Sequence, residues 1–149
     1  MKMITTSGEV QSRAAVCRIC FQPDTSNREE LILNLYPWER FQSFLGFGGA
    51  VTDSAAYVYS TLSPELRAEV IAACFGSDGL GYTLARSHID SCDFSLESYC
   101  ADPAEEDAEL RRFSIERPGK YVFPMLDDIV KIRPELRLLL SPWSPPEYM

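Results

Sequence analysis

The spacing of apolar residues changes near residue 40, which divides the chain into two parts. Within residues 1–38 the apolar positions alternate in short runs, separated by turn-forming residues at Ser7-Gly8 and Pro23-Asp24. This pattern predicts two or three strands of a β-rich element. Within residues 39–149, apolar runs of strand length alternate with stretches of helical periodicity. This second part is therefore predicted to be an α/β segment.

The most clearly delimited helix is predicted over residues 63–76. Ser63 is placed to cap its start, Pro64 suits the first helical position, and Gly76 ends it. The spacing i, i+4, i+8 predicts one buried stripe, made of Leu66, Val70 and Cys74.

Three strands are predicted at 44–49, 82–89 and 136–140, the first of which runs into a glycine turn, and a shorter helix is predicted at 124–132. Thr52 or Asp53 can cap a helical stretch after the first of these strands, and the polar residues 96–122 predict a long loop. The order strand, helices, strand, helix, strand predicts a parallel sheet. Three strands cannot close a barrel, so we expect an incomplete fold whose apolar third strand, at an open edge, promotes aggregation.

Composition and charge exclude several classes of partner. The 149 residues carry a net charge of -8, from 14 basic and 22 acidic residues, so nucleic acid is not expected to bind. No apolar stretch approaches the roughly 20 residues needed to cross a bilayer. Five cysteines, an odd number, favour reduced thiols and a cytoplasmic rather than a secreted protein.

The Cys17-x-x-Cys20 spacing is compatible with a zinc site, but zinc needs two further ligands. His88 is the only histidine and no second Cys-x-x-Cys exists. We therefore expect no metal and interpret these cysteines as buried free thiols.

Three polar boxes follow or close apolar runs, at 46–55, 91–95 and 141–146. In α/β proteins such strand ends carry the sites. From the residues alone, Asp93 can be a turn or helix-capping residue as well as a residue that contacts a ligand. Trp143 can simply pack over the end of the apolar strand that precedes it. Arg86 fits a buried ion pair, and His88 a hydrogen-bonded core group rather than a base. A catalytic pair of Asp90 with Asp93 is disfavoured, because nothing supplies the second face of a sugar.

Five motifs between Phe41 and Met149 resemble, in order and spacing, glycoside hydrolase family 30, the glucosylceramidase-like β-glycosidases. They are Gly46-Phe47-Gly48-Gly49-Ala50 with Thr52-Asp53, Gly81-Tyr82 leading to Arg86, Ser91-Cys92-Asp93-Phe94-Ser95, Phe113-Ser114-Ile115, and Ser141-Pro142-Trp143-Ser144-Pro145-Pro146. The resemblance implies the first three strands of a (β/α)8 TIM barrel within residues 39–149. It also implies that residues 1–38 supply strands of a β-sandwich side domain.

The resemblance also implies a chemistry and its residues. Family members hydrolyse β-glycosidic bonds with retention, using two glutamates about 5 to 5.5 Å apart, which lie on the fourth and seventh barrel strands. This chain is expected to end after the third strand, to hold neither catalytic residue and to be inactive alone. Asp93 and Trp143 match substrate-binding residues of the family, and Arg86 matches an arginine beside the catalytic carboxylates. All three are predicted at C-terminal strand ends, and no cofactor is implied.

Several alternatives stay open. The substrate is a β-glucoside or glycolipid, with glucosylceramide, other β-glucosides, β-xylosides and β-1,6-glucans all found among relatives. A non-catalytic carbohydrate-binding or interaction fragment is the alternative from a different class. A second chain that supplies the missing barrel strands is the third possibility.

Overall fold

The structure is a computed structural model that describes residues 2–6, 8, 15–23, 25, 33–103, 106–146 and 148–149. The chain divides into two compact units, Met1–Phe41 and Gln42–Met149. In the described part of the chain, no helix has both the length and the apolarity needed to span a bilayer.

The first unit contains an antiparallel pair of strands, β1 (Lys2–Thr5) and β2 (Ala15–Arg18). These are two of the two or three strands that the alternating pattern predicts. The described part of the next apolar run, 33–36, forms no strand. The predicted turn residues Ser7 and Asp24 lie outside the described residues, and the β-sandwich assignment stays a prediction.

The second unit has an α/β fold in the predicted element order. Its elements are β3 (Gly48–Val51), α1 (Asp53–Thr61), α2 (Pro64–Phe75), β4 (Leu84–Ile89), α3 (Glu116–Ile132) and β5 (Arg137–Pro142). The strands form one parallel sheet in the order β3-β4-β5, in which Leu84 pairs with both Gly48 and Arg137. The predicted parallel sheet is therefore confirmed, and β5 lies at its edge with Leu139 61% exposed.

The ends of α2 agree with the sequence, whereas its buried face does not. The Ser63 hydroxyl accepts a hydrogen bond from the Leu66 amide at 3.3 Å, and the Gly76 amide donates to the Ala72 carbonyl at 2.9 Å. The predicted stripe is wrong at Leu66, which is 48% exposed, and at Val70, which is also exposed, whereas Cys74 is partly buried against the core. Ile71 and Phe75 are buried instead. Apolar residues lie on several sides of this helix, so spacing alone cannot select the face that packs against α3.

Helix α3 begins at Glu116, eight residues before the predicted start at Pro124. A proline inside a helix removes one backbone hydrogen bond, which is why the sequence favours a start there. In the structure Pro124 and Lys120 are both exposed, so the carbonyl that loses its helical partner lies on a solvent-facing turn. The predicted loop over 96–122 is correspondingly too long.

Gly48 and Gly49 lie inside a strand, not in the glycine turn that the sequence predicts. β3 begins at Gly48 and continues through Gly49, rather than running from residue 44 into a turn. A Cβ atom on Gly48 would overlap the backbone carbonyl oxygen of Leu84 on the neighbouring strand. Glycine is therefore what permits the close approach of β3 to β4.

The core lies between one face of the sheet and the three helices. Its buried apolar residues are Val51, Ala56, Tyr59, Ile71, Phe75, Ala85, Val122 and Ile129. Successive strand residues point to opposite faces, so Ala85 and Ser87 of β4 are buried towards the helices while Arg86 is exposed on the other face. The fold thus leaves one sheet face and one set of strand ends free to form a site.

Candidate functional site

A cleft of about 360 Å³ lies at the carboxyl ends of the three strands. Because the strands are parallel, the residues that follow them meet at the same edge of the sheet. Thr52 follows β3, Cys92 and Phe94 follow β4, and Trp143 follows β5, and all four line the cleft. The remaining lining residues are Ala50, Arg86, Ser87 and His88. The three polar boxes of the sequence therefore come together in one place.

Arg86 joins the second strand of the sheet to the third. Its Nε and Nη2 atoms donate hydrogen bonds to the Ser141 hydroxyl at 3.2 and 3.0 Å, and its guanidinium carbon lies 4.6 Å from the centre of the Trp143 ring. Arg86 lies in the middle of β4 and is exposed, so its predicted place at the strand end is wrong. Among the described residues it forms no ion pair, which contradicts the buried-pair interpretation.

Trp143 lies directly after β5 and is 41% exposed. The contact with Arg86 is a cation–π interaction, which fixes one part of the indole ring at the wall of the cleft. A half-exposed aromatic ring in a cleft offers an apolar surface together with one N–H donor. The predicted position of this residue at a strand end is therefore confirmed.

Asp93 occupies a tight turn four residues beyond the end of β4. The Ser95 amide donates to the Cys92 carbonyl at 2.9 Å, and the Ser95 hydroxyl accepts from the Cys92 amide at 3.0 Å. Asp93 is exposed at the apex of this turn. Its neighbours Cys92 and Phe94 line the cleft, whereas Asp93 is not itself a lining residue. Asp93 is thus a turn residue, which is one of the two interpretations drawn from the sequence. It is exposed and lies between two residues that line the cleft.

His88 is 8% exposed and its Nδ1 atom lies 2.6 Å from the Asp90 carbonyl oxygen. The same Nδ1 atom lies 3.2 Å from the Tyr99 hydroxyl oxygen, so it has two oxygen atoms within hydrogen-bond distance. Nε2 is buried and has no hydrogen-bond partner among the described residues. The prediction of a hydrogen-bonded core histidine is confirmed.

Asp90 closes the loop that carries Asp93. Its backbone has a φ of 61°, which is uncommon outside glycine, and its Oδ1 atom accepts a hydrogen bond from the Ala101 amide at 2.7 Å. The Ser91 amide donates to the Tyr99 carbonyl at 3.1 Å beside it. Since the Asp90 carboxylate is occupied in closing this loop, a catalytic pair with Asp93 is further disfavoured.

Two titratable groups near this loop, Tyr99 and Cys100, have pKa values shifted towards their neutral forms. Burial, followed by the nearby Asp53 carboxylate, raises the pKa of Tyr99 to about 12. Burial also raises the pKa of the Cys100 thiol, which donates to the Asp102 carbonyl at 3.0 Å. Both groups therefore stay protonated at neutral pH and act as structural hydrogen-bonding groups.

The cysteines are free thiols, but not all are buried. Cys17 and Cys20 are exposed, so the interpretation of this pair as buried thiols is wrong. Cys92 is partly buried at the cleft. The described residues contain no group of three or more His, Cys, Asp or Glu side chains placed to hold a metal ion.

The region that builds this sheet and cleft matches a known family of proteins. Residues 44–149 match the glycosyl hydrolase family 30 TIM-barrel domain. The chain is 39% identical over 113 residues to putative glucosylceramidase 3 of Caenorhabditis elegans, an alignment that covers 74% of this chain and 22% of that protein. It is 34% identical over 122 residues to the lysosomal acid glucosylceramidase of Mus musculus, covering 80% of this chain and 24% of that protein.

A solved structure is also similar. SrfJ from Salmonella typhimurium superimposes with a TM-score of 0.78 at 32% sequence identity, covering 91% of this chain and 30% of that one. The chain thus spans less than a third of the length of each of these three proteins. The family match covers most of the chain, and the three-stranded sheet (β3, β4 and β5) and the cleft lie within it. This chain therefore belongs to glycosyl hydrolase family 30.

Proposed function

We propose that this chain forms part of the sugar-binding pocket of a retaining β-glycosidase, with β-glucosides, including glucosylceramide, as the substrate class. The observation that carries the proposal is the cleft at the carboxyl ends of β3, β4 and β5, where one residue or more from each polar box meets. TIM-barrel enzymes hold their substrates at this end of the barrel.

Each of the three candidate residues has a chemical role in this proposal. The Asp93 carboxylate accepts hydrogen bonds from sugar hydroxyls, and the Trp143 ring packs on the apolar face of the sugar. Arg86 has five N–H donors, of which Nε and one on Nη2 are directed to Ser141. Its positive charge and remaining donors favour the ionised form of a catalytic carboxylate nearby.

Hydrolysis with retention needs a second set of residues. One carboxylate must attack the anomeric carbon while another protonates the leaving oxygen. The family resemblance assigns both to the fourth and seventh barrel strands, whereas the parallel sheet described here has three strands. We therefore propose that this chain supplies binding contacts and that the catalytic carboxylates belong to further strands.

The 149-residue chain alone is expected to release no 4-nitrophenol from 4-nitrophenyl β-D-glucoside above the buffer rate, because it lacks the carboxylate pair. The measurement is absorbance during a long incubation at several protein concentrations. The Asp93→Ala variant, purified in parallel, reports any contaminating glycosidase. Release that rises with the concentration of the parent chain and is absent from the variant would contradict the proposed division of roles.

Sugar binding tests the proposal directly. In a Trp38→Phe background Trp143 is the only tryptophan, and methyl β-D-glucopyranoside up to ~100 mM is expected to change its fluorescence saturably, in the range of a weak contact. Asp93→Ala is expected to weaken this binding ~10-fold, since hydrogen bonds to a charged group are among the stronger ones.

The matched control is Asp78→Ala, which removes the same charge from an exposed turn after α2. This variant is expected to bind the glucoside like the parent. An absent response, or equal weakening by the two aspartate variants, would count against the proposed pocket. A saturable response without turnover is also what a non-catalytic carbohydrate-binding fragment would give, and the open edge of β5 favours a further strand over that alternative.

A further inference from the structure

Asp53 is a fully buried carboxylate that the proposed sugar pocket does not use. It is the first residue of α1, two positions after the end of β3, and its exposed fraction is 0%. Its two oxygens accept hydrogen bonds from Arg117, Oδ1 from Nη1 at 3.1 Å and Oδ2 from Nη2 at 2.9 Å. A buried charge is costly unless it is paired and hydrogen-bonded. The bidentate pair satisfies that need and joins the start of α1 to the start of α3.

The same turn of α1 holds the loop that carries Asp93. The Asp53 Oδ2 atom also accepts a hydrogen bond from the Leu96 amide at 3.0 Å. Ser54 donates two hydrogen bonds to the Phe94 carbonyl, from its amide at 2.9 Å and from its hydroxyl at 2.7 Å. Two neighbouring residues of α1 therefore hold the backbone that directly follows Asp93, at Phe94 and Leu96.

Arg117 extends this attachment to α3. Its Nε atom donates to Glu97 Oε1 at 3.1 Å, which is the residue after Leu96. Its guanidinium carbon lies 5.3 Å from the Tyr99 ring centre and 5.7 Å from that of Tyr121. These contacts leave the Arg117 side chain only 20% exposed. The loop is thus held by hydrogen bonds from α1 at Phe94 and Leu96 and from α3 at Glu97.

The hydrogen bonds within the loop fix its shape but not its place. The Cys92–Ser95 turn closes on itself through the Ser95 amide and hydroxyl, and Asp90 closes its base. The contacts of Phe94, Leu96 and Glu97 with α1 and α3 are the ones that set where the closed turn stands above the cleft. Loss of these contacts would let the turn move as a unit while keeping its own geometry.

We propose that Asp53 and Arg117 are positioning residues that hold the 91–97 loop in place and so determine where Asp93 meets the sugar. This inference rests on the proposed function for the role of Asp93, but not for the placement of the loop. The pair acts through the loop and does not itself contact the sugar.

Amide hydrogen exchange tests the placement. Asp53→Asn keeps the shape of the side chain but removes the charge, and it is expected to raise the exchange rates of the Leu96 and Ser54 amides, which join the loop to α1, by ~10-fold or more relative to the amides of β4. The Ser95 amide bonds within the turn and is expected to keep its rate. The β4 amides report any change in global stability. Asp128→Asn is the control: it removes the charge of a carboxylate on α3 that accepts hydrogen bonds from Tyr59 Oη of α1 and from Lys131 Nζ, and it is expected to leave the Leu96 and Ser54 amides unchanged relative to β4.

A double-variant cycle tests the consequence for sugar binding. In the Trp38→Phe background, Asp53→Asn is expected to weaken methyl β-D-glucopyranoside binding as much as Asp93→Ala does, and the double variant is expected to bind no more weakly than Asp93→Ala alone. If Asp53→Asn and Asp93→Ala acted independently, their separate fold-losses of glucoside affinity would instead multiply in the double variant. Should Asp53→Asn fail to fold, Ser54→Ala and Arg117→Lys loosen the same loop with less disruption and are measured in the same way.

The outcomes separate the two proposals. Leu96 and Ser54 amides that exchange as in the parent would overturn the positioning role, and so would a double variant whose two losses multiply. A glucoside affinity that is undetectable in the parent, or unaffected by Asp93→Ala, would overturn the proposed function, while the exchange rates would still decide the role of Asp53 and Arg117.

Discussion

Replacement of Gly48 by alanine is expected to lower the free energy of unfolding by about 3 kcal/mol. A Cβ atom there would overlap the Leu84 carbonyl oxygen and would stand 2.5 Å from the carbonyl carbon. Leu84 cannot move aside, because β4 is the central strand and pairs with β5 on its other side. Urea denaturation followed by circular dichroism measures the loss, with the slope checked for constancy.

The neighbouring glycine provides the matched control. A Cβ on Gly49 would come no closer than 3.4 Å to any atom, the nearest being Cε2 of the Tyr82 ring, which is ordinary van der Waals contact. Gly49→Ala is therefore expected to change stability by less than ~1 kcal/mol. Equal destabilisation by the two variants would show that the approach of β3 to β4 does not depend on Gly48.

The fold of the second unit was predictable where local sequence rules decide it. The caps of α2 follow from Ser63 and Gly76, and the element order follows from alternating apolar runs. Errors arose where a tertiary contact overrides a local preference. Pro124 is tolerated inside α3, and Gly48 is a strand residue because a backbone approaches it. Such contacts leave no local pattern in the chain.

The convergence of the polar boxes was predictable because parallel strands end at the same edge of a sheet. The partners of the individual residues were not. Arg86 pairs in register with Leu139, so Ser141, two residues further along β5, lies on the same face of the sheet. This register was the signal that could have identified Ser141 as the partner of Arg86. It can only be used once the alignment of β4 with β5 is known.

The ion pair between Asp53 and Arg117 was even harder to predict from the sequence. The two residues are 64 positions apart, and Arg117 lies in a stretch predicted as a polar loop. Asp53 was interpreted only as a possible helix cap, a role that the Thr52 hydroxyl fills by accepting a hydrogen bond from the Ala55 amide at 3.3 Å. Because the cap is already provided, the Asp53 carboxylate is free to bind Arg117 and the loop.

Truncation of Ile129 to alanine is expected to cost about 3 to 4 kcal/mol of unfolding free energy. Ile129 is 0% exposed at the centre of the core, on the helix that also carries Arg117. Only eight apolar residues are buried among the described residues, so few neighbours are available to close the cavity that the truncation leaves. Thermal or urea denaturation measures the loss.

Val130→Ala is the control, because Val130 follows Ile129 on the same helix but is 46% exposed. Alanine raises helix propensity at both positions, so the difference between the variants isolates the contribution of burial. We expect Val130→Ala to change stability by less than ~1 kcal/mol. Equal losses in the two variants would mean that α3 does not pack on the sheet through Ile129. The attachment of Arg117 to the Asp93 loop would then lack the rigid helix on which it depends.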